Sequence, residues 1–131
     1  MVKVIIFSIC GIFYLTFSST CFASREKEAC DIMKTFERVQ NKKAPVKIDK
    51  YTDLIEVSVN CKIKTLYTTK AYNVSKSQLP ANWEETLQKN HTKTNCKKTG
   101  LSGGFGWTAI SKFFYKDSVH IFTIKTSPKD C

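Results

Sequence analysis

The chain has 131 residues, with 21 Lys and Arg against 11 Asp and Glu, for a net charge of +10. That length is enough for one domain, and no linker divides it. The charge disfavours strongly cationic partners and favours anionic ones, yet arginine occurs only as Arg25 and Arg38 and the lysines form no block of five. Nucleic-acid sites favour arginine's planar fork, so nucleic acid is not the expected partner.

The first segment has three parts. Lys3 gives a basic tip, Val4 to Phe17 is an uncharged run, and Ser18-Ser19-Thr20-Cys21-Phe22-Ala23 is a small-residue exit before charge returns at Arg25. That is the layout of a secretory signal. The apolar run falls short of the roughly 20 residues that span a bilayer. Cleavage is expected after Ala23, giving residues 1–23 as signal peptide and 24–131 as a single exported α+β domain. The alternatives are an uncleaved anchor and lipidation of Cys21. The second lacks the usual apolar residue three places before the cysteine.

Export sets the reading of the cysteines. Cys10 and Cys21 leave with the signal, and Cys30, Cys61, Cys96 and Cys131 remain. An even count in an oxidising compartment predicts two disulfides. Of the three pairings, Cys30–Cys61 with Cys96–Cys131 is favoured, because each bond ties a helix to a nearby strand. The cysteines are too far apart for a zinc site, which clusters ligands roughly two to four residues apart. No metal or cofactor is expected.

Residues 25–40 place Ala29, Ile32, Met33, Phe36 and Val39 at helical spacing, with Ser24 as N-cap. The run 41–45, ending Ala44-Pro45, breaks that helix. Ile55, Val57, Val59, Cys61 and Ile63 then alternate with polar neighbours as a strand. Residues 65–74 read as a second strand, with a reversal near 60–64 and room for a short lead-in strand at Val46–Ile48. A second helix starts after Pro80, with Glu84 and Glu85 in its first turn and lysines toward its end, as the helix dipole favours. Residues 107–115 and 119–126 are two more strands, joined by a turn at Lys116-Asp117-Ser118. The predicted fold is therefore α+β in the order α-β-β-α-β-β: a four-stranded antiparallel sheet with both helices on one face.

Asp49-x-x-Thr52, Cys96, Tyr115-Lys116-Asp117 and Pro128-Lys129-Asp130-Cys131 together cover most of the exported part. This pattern resembles small exported bacterial proteins of uncharacterised function. The resemblance implies an α+β layout and a bacterial envelope location, periplasmic or secreted, and it implies no activity. The glycine-rich segment before Trp107 is absent from the pattern.

No catalytic set emerges from the residues. Gly100, Gly103, Gly104 and Gly106 lead into a strand rather than the helix that follows a phosphate cradle. They read as a helix C-cap at Gly100 followed by a flexible connection. Phe105 and Trp107 beside them, with Lys97 and Lys98, are the candidate partner contacts. His91 and His120, the only histidines, could act as base and acid in a ribonuclease-like hydrolysis. That family's extended motifs are missing. Ser102 is one residue out of step for a nucleophile elbow. Glu84 and Glu85 point about 100° apart on a helix, so they cannot flank one glycosidic bond.

The expected function is thus a small, non-enzymatic binding or accessory protein, taking a protein or an anionic envelope component. Two alternatives are a secreted hydrolase of an anionic polymer such as RNA through His91 or His120, and an inhibitor or immunity protein against an acidic partner.

Overall fold

The computed structural model describes residues 24–117 and 121–131, the side chain of Ile121 apart. The signal region with Cys10 and Cys21 lies outside the described residues, as do Ser118, Val119 and His120. The chain divides between Ile32 and Met33. Of the first unit the described part, residues 24–32, is helical, and the helix runs on to residue 43 in the second. We label this helix α1. It stops ahead of Ala44-Pro45, where proline disfavours α geometry in the residue before it.

The second unit adds β1 (Val46–Lys47), β2 (Thr52–Asn60), β3 (Thr65–Tyr72), α2 (Trp83–Asn95), β4 (Thr108–Phe114) and β5 (Ile121–Thr126). Short 3-10 turns lie at Lys76–Gln78 and Pro128–Asp130. The strands form one five-stranded sheet in chain order. The pairs β1/β2, β2/β3 and β4/β5 are antiparallel, but β3 and β4 are parallel, with Leu66 opposite Ala109 and Lys70 opposite Phe113.

The four-stranded, wholly antiparallel sheet is therefore corrected twice. The lead-in strand joins the sheet as a fifth member, and the two hairpins meet side by side in parallel. The second correction follows from length. A 13-residue helix rises about 20 Å, which brings the chain back close to the start of the eight-residue β3 before β4 begins. A strand that follows such a crossover runs parallel to the one before it.

The alternation read in β2 also changes. A bulge between Leu54 and Glu56 shifts the register. Leu54 and Val57 therefore share the buried face, with Val57 only 1 % exposed, while Ile55 turns outward at 41 %. An extra residue in one strand flips every side chain beyond it.

The core lies between α2 and the sheet. Tyr72, Phe113, Tyr115 and Ile124 form it, with Val74, Leu79, Trp83, Leu87 and Phe122 packed against them. Phe113 stacks on Tyr72 at 5.3 Å and on Phe122 at 4.9 Å, and Trp83 meets Tyr72 edge-on. The polar tips are satisfied too. The Trp83 indole N–H donates to Tyr72 Oη at 3.1 Å, and Tyr115 donates to Glu84 at 2.8 Å. Burial and then that carboxylate push the Tyr115 hydroxyl pKa up.

Side-chain amides close two open stretches of strand edge, β2 beyond the end of the short β1 and the outer strand β5. Asn41 of α1 donates to Val57 O at 2.7 Å and accepts from Val57 N at 2.8 Å. Gln88 of α2 makes the same double contact with Lys125 of β5, at 3.0 and 3.3 Å. Each amide stands in for a neighbouring strand where backbone would otherwise be left open to pairing. A disulfide joins Cys96, the C-cap of α2, to Cys131. Cys30 and Cys61 are disulfide-bonded as well.

Candidate functional site

The inward positions of the central strands are not all apolar. On β3 they are Leu66, Thr68, Lys70 and Tyr72; on β4, Ala109, Ser111, Phe113 and, just beyond its end, Tyr115. Near Tyr72 and Tyr115 this face packs against the first half of α2. Toward Leu66 and Ala109 it meets the second half, where Leu87 gives way to His91 and Asn95, and a groove of about 360 Å³ opens between helix and sheet. Such a volume lies within the usual range of small-molecule sites, roughly 300–1,000 Å³.

Hydroxyl groups line its floor. Thr68 Oγ1 and Ser111 Oγ are 2.7 Å apart. Ser111 Oγ lies 3.4 Å from His91 Nε2, and His91 Nδ1 lies 2.7 Å from Thr126 Oγ1. Thr126 is fully buried and also contacts Thr92 at 3.3 Å. If Thr126 donates to Nδ1, the neutral imidazole keeps its proton on Nε2, facing the groove. Burial, and then the nearby Lys70 cation, lower the His91 pKa to about 4, so the ring is neutral at pH 7. Burial also lowers the Lys70 pKa, partly offset by Asp49. The Lys70 ammonium sits 5.3 Å from the Phe113 ring centre, within cation–π range.

This geometry differs from that of a serine hydrolase. A serine nucleophile needs a base held by a third group. Here the Ser111–His91 contact is long, and behind His91 stands a threonine hydroxyl rather than a carboxylate. None of the groove-lining residues is acidic. A protonated His91 would also face Lys70. The ribonuclease pairing cannot be placed, because His120 lies outside the described residues.

The candidate contact residues lie beyond the C-terminal end of α2. Lys97 and Lys98 are exposed, and so is Phe105 at 56 %. Trp107 is only 3 % exposed, so its side chain belongs to the interior. The helix caps at Cys96 rather than Gly100. The glycine segment is a hydrogen-bonded turn, not a loose connection. Asn95 O accepts from Ser102 N and Gly103 N at 3.0 and 2.8 Å, and buried Ser102 donates to Thr126 O. A Cβ at Gly103 would stand 2.3 Å from Cys96 O, so only glycine permits this approach. Among the described residues no cluster of His, Cys, Asp or Glu could hold a metal ion, and no helix is long and apolar enough to cross a membrane.

The groove was missed in sequence, though it left a signal. Trp83, Leu87 and His91 recur at four-residue spacing, so a histidine ends an apolar stripe. Lys70 and Ser111 likewise occupy inward positions of strands that are otherwise apolar or hydroxylic. Polar groups held at core positions mark a site more often than an exposed aromatic such as Phe105.

The fold and groove together define a small disulfide-bonded α+β domain with a mixed polar and apolar cleft. No family model and no curated protein matches the chain. The chain is similar in fold to the crystal structure of a "putative secreted protein" from Pseudomonas aeruginosa. The TM-score is 0.60 at 12 % identity, covering 81 % of this chain and 95 % of that one.

Proposed function

We propose that this chain is an exported, non-enzymatic binding protein of the bacterial envelope, and that the groove between α2 and the sheet is its ligand site. In this reading residues 1–23 are a removed signal and residues 24–131 the working domain. The observation that carries it is the groove itself: an enterable cleft with a lysine, a neutral histidine and paired hydroxyls, and no carboxylate to drive acid–base chemistry. The two disulfides favour an extracytoplasmic location, and the description of the Pseudomonas protein as secreted points the same way. Exposed Phe105, Lys97 and Lys98 form a separate tip suited to an anionic macromolecular partner.

The test is amide-shift mapping of the exported, oxidised protein against the low-molecular-mass fraction of bacterial envelope. Shifts centred on Thr68, His91 and Ser111 are expected, with RNA and ester substrates left intact. A spectrum unmoved at those residues, or hydrolysis abolished by His91→Ala, contradicts the reading.

A further inference from the structure

The geometry points to one ligand class: we propose that the groove binds a small monocarboxylate with an apolar body, its carboxylate between Lys70 and the Thr68–Ser111 hydroxyl pair and its body along Leu66, Leu87 and Ala109. This rests on the groove being a ligand site and goes on to say what enters it.

Lys70 is the leading observation. Its side chain is half-buried, and among the described residues no carboxylate lies within ion-pair distance of it. Among the described residues its close contact is the Phe113 ring face, while Asp49 acts on it from beyond ion-pair distance. A desolvated cation that a distant carboxylate compensates only in part is costly, and that cost shows as its lowered proton affinity. An anion beside it recovers the loss.

The count of charges selects the anion. The groove lining has one lysine and no arginine, so one negative charge is neutralised, while a phosphate dianion would leave one unpaired. Position agrees. The carbonyl end of a helix repels anions, but Lys70 lies opposite Phe113, which packs near Leu87 rather than at the carbonyl end of α2. Asn95 O at that end is already occupied by two backbone N–H groups. The Thr68–Ser111 pair spends one hydroxyl proton on its own bond and has one to offer a carboxylate oxygen, and His91 Nε2–H can offer another. Leu66, Leu87 and Ala109 provide the apolar wall. Asn90 and Thr94 on the rim are exposed, which leaves the groove open to entry.

Octanoate is the probe, titrated by amide-shift mapping and calorimetry into the exported, oxidised protein, with 1-octanol, octylamine and inorganic phosphate alongside. We expect octanoate to move Thr68, Lys70, His91 and Ser111 and to bind about tenfold or more tightly than 1-octanol. Lys70→Met should remove that advantage and Lys70→Arg restore part of it. The bound carboxylate should also raise the His91 titration midpoint, since Lys70 is the charged group that depresses it in the free protein. Equal binding of octanoate and 1-octanol, or tighter binding of phosphate, overturns the ligand class and leaves a ligand-binding groove standing. If no alkyl probe moves the groove but components of the envelope fraction do, the ligand class alone falls. If neither does, the binding function falls with it.

Discussion

The two halves of α2 meet the same sheet on different terms. At its start Trp83, Glu84 and Leu87 are packed into a stack of aromatic rings, and each buried polar tip has a partner within that stack. At its end His91, Thr92 and Asn95 stand over hydroxyl groups, and a groove is left between helix and strands. One half holds the helix in place, so the other can keep its distance. The groove's polar groups stay aligned because the aromatic end, the Gln88 bridge and the Cys96–Cys131 bond fix the helix around them.

The contrast predicts an order of effects. Phe113→Ala removes the ring on which Tyr72 and Phe122 stack. It should cost about 3–5 kcal/mol in denaturant unfolding; a loss below 1 kcal/mol would mean that the aromatic end does not anchor the helix. Replacing Cys96 and Cys131 together by serine frees a bond spanning a sequence separation of 35. The expected loss is about 2–4 kcal/mol, with the far-UV spectrum retained.

The groove end responds to pH. The His91 pKa is about 4 in the folded chain against 6.5 as a free side chain, so between these values the unfolded chain binds the extra proton. Stability therefore falls as pH drops from 6.5 to 4 and the loss is complete below 4. The full difference corresponds to ~3 kcal/mol, and solvent screening at this half-buried ring reduces it to about 1–2 kcal/mol. Thermal unfolding at several pH values should show that slope in the native chain and a shallower one in His91→Gln. Smallest is Gln88→Ala, which removes two hydrogen bonds to Lys125. About 1 kcal/mol is expected, together with faster amide exchange along β5.

How much of this could be read from sequence also differs between the two ends. Helix and strand positions came from periodicity, and the inward alternation of Phe113, Tyr115 and Ile124 marks the anchored end directly. The β2 bulge was illegible, because alternation from Ile55 to Ile63 looks unbroken until pairing with β3 is known. The parallel pairing was implicit in the order hairpin, helix, hairpin, but depends on where the helix delivers the chain.

The motif residues turn out to serve turns and core. Asp49 Oδ1 accepts from Tyr51 N in the turn before β2, Tyr115 is buried in the core, and Asp130 accepts from Ser127 in the closing 3-10 turn. The groove needed three dimensions because Lys70, His91 and Ser111 come from β3, α2 and β4, and no short motif joins them.

The central claim is that His91 stands neutral in a desolvated groove beside the Lys70 cation. Titration of the His91 ring resonances in the native, oxidised protein tests it most directly. A midpoint near 4 that rises in Lys70→Met is predicted, and a midpoint near 6.5 that Lys70→Met leaves unmoved would contradict it.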